Sequence, residues 1–396
     1  MKASDLQLID VSKQELKSLD VTKLAKMKEL SINENTFADG ELAKLIASLP
    51  TANEEASIVM DDDQYDLVGI DLEGKGWEVY VEPKKDAVDV DKWTPKESDV
   101  KMILSSSYQD YARCLSYYYI TESAFTHNLS LDELQPWRYA FDDIYNHKLS
   151  PYTNLLSTIF QQSYKSIRNT NFLIDILKNK SDLGFETDQY IYASRLLRAM
   201  NYFNLINIWG DIPYLDENNY NNVTSANVVM TRMPVDQVVT RLIADIEVIA
   251  NLLPENDQKG YVLSKSFAYN LLAKLYLQQK DYTKALMYAQ KVIELGKHQL
   301  AKDASMPFND NNNPELLTSL NTTWLNLLNQ QQNTFFQLIE KGENLPLGRY
   351  AETLLIAAEA ELKRGNLSEV PTYLNSLRER NKRELLSAKA SAEQIE

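Results

Sequence analysis

Apolar residues between 152 and 378 recur at the three- and four-residue intervals that place them on one side of an α-helix. Leu155, Leu156, Ile159, Phe160, Ile167 and Ile174 make one stripe, and Leu196, Ala199, Met200, Phe203 and Ile206 make the next, ended by Gly210 and Pro213. A third runs through Val235, Val238, Val239, Leu242, Ile246, Ile249 and Leu253 and stops at Pro254. Such stripes are the buried faces of amphipathic helices, so they speak for core before they speak for a site. Two later segments predict helix–turn–helix units of the tetratricopeptide kind. In the first, Tyr269, Leu272, Ala273 and Tyr276 precede the turn Lys280-Asp281-Tyr282, and Ala285, Ala289 and Val292 follow it. In the second, Leu354, Ala357 and Ala358 precede Arg364-Gly365-Asn366, then come Val370, Leu374 and Leu377. The small residues at Ala273 and Ala285 let two antiparallel helices approach closely. The two turns lie 84 residues apart, not a whole number of ~34-residue repeats. The Asn- and Gln-rich segment 297–348 interrupts the array.

The first quarter has a different texture. Residues 1–60 predict polar, Lys/Glu-rich helical pieces that stop at Pro50. In 64–82, Val79 and Val81 alternate with Glu78, Tyr80 and Glu82, and Gly74 and Gly76 separate this run from an earlier apolar one, a pattern that predicts a β-hairpin. The acidic stretch to Ser98, with Pro83 and Pro95, predicts a linker and a boundary near 98. The expected architecture is mostly α: tetratricopeptide-like helix pairs in an α-solenoid body over 99–396, preceded by a small N-terminal appendage over 1–98 whose role the pattern does not disclose.

Charge narrows the partners. The 396 residues carry a formal net charge of −15, and residues 1–100 hold 23 carboxylates against 12 lysines and no arginine. A field of that sign repels nucleic acid and anionic lipid. The single cysteine, Cys114, excludes an intramolecular disulfide, a cysteine-based zinc site and a redox pair, and its flanks predict inert burial in a helix. No run is long and apolar enough to cross a bilayer as a helix.

Four strings stand in order: ASRLLRAMNYFNLINIWGDIPYL (193–215), RMPVDQVVTRLIADIEVIANLLP (232–254), SKSFAYNLLAKLYLQQKDYTKALMYAQKVIE (264–294) and RYAETLLIAAEAELKRGNLSEVPTYLNSLRERN (349–381). As an ordered set they resemble the SusD/RagB family of nutrient-binding outer-membrane lipoproteins, well over 150–381 and loosely over 100–150. The resemblance implies a helical body with a loop-rich ligand face, an oligosaccharide ligand, a SusC-like TonB-dependent transporter as partner and no catalysis. It also implies a cell-surface location at the outer membrane through a lipid anchor. The chain lacks the family's N-terminal acylated cysteine, which points to an absent leader. It also ends at Glu396, where relatives continue, which points to a C-terminally short chain.

The chemistry agrees with a binding protein. His127, His147 and His298 are dispersed, with no HExxH spacing, and surface or structural roles are expected of them. The acidic run 61–66 lacks the glycine and distal glutamate of a calcium loop and predicts a solvated segment. Asp142 and Asp143 are adjacent on a predicted helix and point apart, so they do not make a glycosidase pair. No catalytic residue, metal ligand or cofactor is expected. Sugar rings dock their apolar C–H faces on aromatic rings and need amide, carboxylate or guanidinium groups for their hydroxyls. Trp137, Arg138, Tyr139, Asp143 and Tyr145, in the segment 132–147, combine both, as do Asn321 and Trp324, and these are the candidate ligand-binding residues. Trp209, inside the Trp-Gly-Asp-Ile-Pro turn, is expected to pack. The alternative function is a helical-repeat scaffold that binds a peptide or protein partner along its inner helices.

Overall fold

A computed structural model describes residues 8–22, 26–38, 40–52, 56–61, 64, 65, 68, 72, 75–82, 93–127, 130, 138–149, 154–220, 231–255, 264–309, 313–321 and 344–395. They fall into two compact units, Met1–Trp93 and Thr94–Glu396.

In the second unit the stripes become helices that end at the punctuating residues. These are α2 (Glu97–Phe125), α3 (Arg138–Tyr145), α4 (Asn154–Asn179), α5 (Asp188–Trp209), α6 (Val235–Ala250), α7 (Lys265–Gln278), α8 (Tyr282–Glu294), α9 (Tyr350–Arg364) and α10 (Val370–Arg380), after α1 (Glu41–Ser48) in the first unit. Caps follow the chemistry. Ser264 and Asp281 accept the N–H groups of Phe267 and Lys284 at the starts of α7 and α8, satisfying donors that have no partner inside a helix. Gly365 closes α9 in the left-handed conformation, φ 82°. Ala273 and Ala285 are fully buried where α7 and α8 pack together. Each long helix packs on its neighbours in the chain: α4 on α2 and α5, α6 on α5 and α7, α9 on α8 and α10. That nearest-neighbour pattern is the hallmark of a helical solenoid. Within 297–348 the described residues form an antiparallel pair, β5 (Leu316–Asn321) with β6 (Asn344–Arg349).

A buried ion network joins three of these helices to the turn after α5. Arg198 is 2% exposed, and its guanidinium donates to Asn171 Oδ1 on α4 (2.6 Å), Glu217 Oε2 beyond the turn (2.7 Å) and Asp245 Oδ2 on α6 (2.6 Å). Burial alone would raise the Glu217 carboxyl, but Arg198 and Lys178 outweigh it and hold it down to about 2. Tyr202 Oη accepts Leu215 N–H and donates to Leu215 O, and Tyr164 Oη donates to Pro213 O. The Trp-Gly-Asp-Ile-Pro motif is thus a loop pinned to helix side chains. Trp209 packs edge-on to Phe160, centroids 5.3 Å apart. Cys114 is buried, and burial pushes its thiol up to about 12.

The first unit departs from the sequence reading. It contains a four-stranded sheet, β1 (Leu8–Asp10), β2 (Glu29–Ser31), β3 (Ala56–Asp61) and β4 (Trp77–Glu82), in chain order and parallel throughout. The expected hairpin at 64–82 is therefore wrong. Trp77–Glu82 is a strand, but it runs parallel to Ala56–Asp61, while Gln64, Tyr65, Val68 and Leu72 are helical. Alternation reports that one face of a strand is solvated; it carries no information on partner or direction. Of the helical pieces expected in 1–60, the described residues contain Glu41–Ser48, and Asp61, expected in a solvated run, is 1% exposed and accepts Glu34 N–H.

Ile9, Leu30, Ile58 and Val79 hold equivalent positions in the sheet, 21, 28 and 21 residues apart. Each coil of chain therefore returns to the same edge. Met27, Leu30, Ile32, Leu45, Ile46, Ile58, Met60, Leu72 and Trp77 fill the interior. Buried amides join the coils: Asn35 Oδ1 accepts Gln14 N–H (3.1 Å) and Leu16 N–H (2.9 Å), and Nδ2 donates to Val11 O (2.8 Å) and Ile32 O (2.9 Å). Gln64 repeats the device, donating to Asn35 O and accepting Asp61 N–H.

Candidate functional site

Helices α2 and α3 pack together and end alike. The end of α2 reads Phe125-Thr126-His127 and that of α3 reads Tyr145-Asn146-His147. In each, the polar residue returns a side-chain bond to the last turn, Thr126 Oγ1 to Glu122 O and Asn146 Nδ2 to Asp142 O. In each, the histidine then takes the left-handed backbone, φ 58° at His127 and 56° at His147. That conformation costs a non-glycine residue ~1–2 kcal/mol, and the two ends offset it reciprocally. His127 Nε2 donates to Tyr145 O and His147 Nε2 donates to Phe125 O, both at 2.8 Å.

The exchange assembles four rings. Phe125 stacks on His147 (centroids 4.3 Å, planes 10° apart), His147 on His127 (5.2 Å, 23°), and His127 lies over Tyr145 (4.4 Å, 46°). Phe125 is 43% exposed, both histidines are exposed and Tyr145 is half-buried. A carbonyl only accepts, so each Nε2 bears its proton, and in the neutral ring Nδ1 is then an acceptor. Flat apolar rings next to fixed polar groups are what a hydroxylated ligand needs; nothing in the stack is arranged as a nucleophile with a base.

Of the residues expected from sequence, Tyr145 belongs to the stack and Asp143 is exposed two residues before it, its carbonyl accepting Lys148 N–H. Arg138 and Tyr139 open α3 and Asn321 ends β5, but their side chains lie outside the described residues, as do Trp137 and Trp324 entirely. Phe125, His127 and His147 are the residues that sequence reasoning passed over. The signal available was the repeated aromatic–polar–histidine ending, 20 residues apart. His298 keeps a structural role, half-buried, bonding Ser266 Oγ at 2.8 Å. Burial lowers its affinity for a proton. Among the described residues no group of three or more His, Cys, Asp or Glu side chains is placed to hold a metal.

Fold and ring stack together define a helical-repeat protein with an exposed aromatic platform. The chain belongs to the SusD/RagB family: a family model described as starch-binding associating with outer membrane matches residues 82–277, and the SusD family model matches 277–395. A SusD-like protein of Formosa agariphila, P25, is 26% identical over 200 residues, 49% of this chain and 35% of that protein. The match thus spans about a third of the length of this curated relative. Among solved structures, a SusD superfamily protein from Bacteroides vulgatus superposes with a TM-score of 0.61 at 17% identity, covering 77% of this chain and 84% of that one. Surface glycan-binding protein A from Bacteroides thetaiotaomicron, in complex with laminarihexaose, superposes at 0.56 and 14% identity, covering 76% and 86%. No helix among the described residues is long and apolar enough to cross a membrane.

Proposed function

We propose that the helical unit is a non-catalytic glycan-binding protein of the cell surface. It holds an oligosaccharide at the α2/α3 ends and passes it to a SusC-like TonB-dependent outer-membrane transporter, with a lipid anchor as the link to the membrane. The observation that carries the reading is the exposed four-ring stack. The family description and the glycan held by a structural neighbour support it. Sugar C–H faces dock on Phe125 and Tyr145, while Asp143 and the imidazole Nδ1 atoms take hydroxyls. Trp137, Arg138, Tyr139, Asn321 and Trp324 are proposed as further ligand-binding residues. The peptide-scaffold reading has less support. Tyr276 and Tyr288, two of the rings on the α7/α8 pair, are 4% and 7% exposed and both donate to Glu247, so neither is free to line a groove.

Calorimetric titration of oligosaccharides, including laminarihexaose and malto-oligosaccharides, tests it. Binding is expected, and Phe125→Ala with His147→Ala should weaken it ~10–100-fold. Full affinity in that variant would move the site to the tryptophans, and absence of heat from every glycan would end the proposal. Co-purification of a barrel transporter with the chain tests delivery.

A further inference from the structure

The family matches begin at residue 82 and so do not describe most of the four-stranded unit. Met27, Leu30, Ile32, Asn35 and Phe37 fall on the positions of the leucine-rich-repeat pattern L-x-x-L-x-L-x-x-N-x-L, and coils of 21 and 28 residues lie in its range of ~20–29. The buried Asn35, bonding backbone groups of two successive coils, gives that pattern its physical reason.

In a strand, successive side chains face opposite sides, and in a parallel sheet in register equivalent positions line up in rows. Leu30, Ile58 and Met60 point into the core and are fully buried. The other side presents two rows, Leu8–Glu29–Ser57–Glu78 and Asp10–Ser31–Val59–Tyr80. Leu8 and Tyr80 are 59% and 51% exposed, and Asp10, Glu29 and Glu78 are exposed. Ser31, Ser57 and Val59 are short and keep the middle of the face low. Strands about 4.8 Å apart make the face ~14 Å across. Its eight positions include three carboxylates and no lysine or arginine. Residues 1–93 as a whole hold 21 carboxylates against 11 lysines and no arginine.

We propose that this open sheet face, in a leucine-rich-repeat-type solenoid, docks a basic polypeptide segment of a partner protein. Lysine or arginine side chains lie over Asp10, Glu29 and Glu78, and aliphatic ones lie against Leu8, Val59 and Tyr80. The charge excludes a nucleic acid. A glycan finds one ring there where stacking calls for several, so the partner differs in kind from the ligand of the helical unit.

The test uses the full chain and a fluorescein-labelled peptide of roughly twelve residues alternating lysine and leucine, with a glutamate-for-lysine counterpart, read by anisotropy. The lysine peptide is expected to bind and the glutamate one not. Glu29→Lys with Glu78→Lys should weaken binding at least about tenfold. The charge-matched pair Glu294→Lys with Glu359→Lys, on the helical unit, should leave it unchanged. Glu29→Gln with Glu78→Gln, a milder change, guards against misfolding and should weaken it in the same direction, with circular dichroism unaltered. Loss of binding in the helical-unit control equal to that in the face variant would mean attraction to net charge alone and overturn the proposal. So would full binding by the face variants, or calcium alone displacing the peptide by occupying the face.

Discussion

Asp110 on α2 is buried, its Oδ2 has no hydrogen-bond partner among the described residues, and burial pushes its carboxyl up to about 6 against the pull of Arg113. A carboxyl that binds its proton more tightly folded than unfolded favours the fold at low pH, and that contribution is lost as pH rises from its unfolded value of about 3.9 through about 6. Asp110→Asn is therefore expected to raise stability by ~1–3 kcal/mol near pH 7.5 and to change little near pH 4. Thermal melts of both proteins at the two pH values check this, and an equal shift at each would refute it. The ring stack makes a second statement at this scale. His147→Ala removes a ring stacked on Phe125 and the bond to Phe125 O. Glycan affinity should fall ~10-fold or more, with the melting temperature moving by a few degrees at most. His147→Asn, which restores a donor but no ring, should rescue stability without rescuing affinity. Neither residue's role was legible beforehand. Asp110 looked like any helix polar position, and His147 gained its meaning from Phe125, 22 residues away in sequence.

Among elements, the helix pairs were the readable part because their period, caps and small-residue contacts are all local. Ser264, Asp281 and Gly365 mark ends that a sequence can announce. Gly210 belongs here too. It closes α5 at φ 66°, ψ −121°, a conformation open to glycine and strained for other residues. Gly210→Ala should cost ~1–3 kcal/mol in chemical denaturation. The N-terminal coils were misread because their polar residues suit a helix surface as well as a solenoid rim, and Gly74 and Gly76 imitate a tight turn. The marker overlooked was Asn35. Asn35→Ala strands backbone groups in two coils and is expected to cost ~2–4 kcal/mol within that unit. Hydrogen exchange at the amides of Gln14 and Leu16 should rise sharply, and protection kept there would refute the role assigned to the amide.

At the scale of the whole molecule, Glu217 and Asp110 give stability opposite dependences on pH. Glu217 is held at about 2, below its usual range, so its contribution is present above about 4.5 and lost as pH falls through 2. Asp110 works the other way, its contribution being lost as pH rises through about 6. Glu217→Gln should lower the melting temperature at neutral pH, and the gap to the unaltered protein should close as pH falls towards about 2. A gap constant with pH would show that packing, not charge, holds Arg198. The amino-acid sequence by itself determined the helical repeats, the acidic character, the family resemblance and the aromatic segment around Tyr145, since period, composition and motif are properties of neighbouring residues. The tertiary structure alone decided that the first strands run parallel, that Arg198 joins three partners from distant parts of the chain, and that Phe125, His127, Tyr145 and His147 share one stack. Each of these depends on which distant groups meet, and chain order leaves that open until packing and hydrogen bonding select one arrangement.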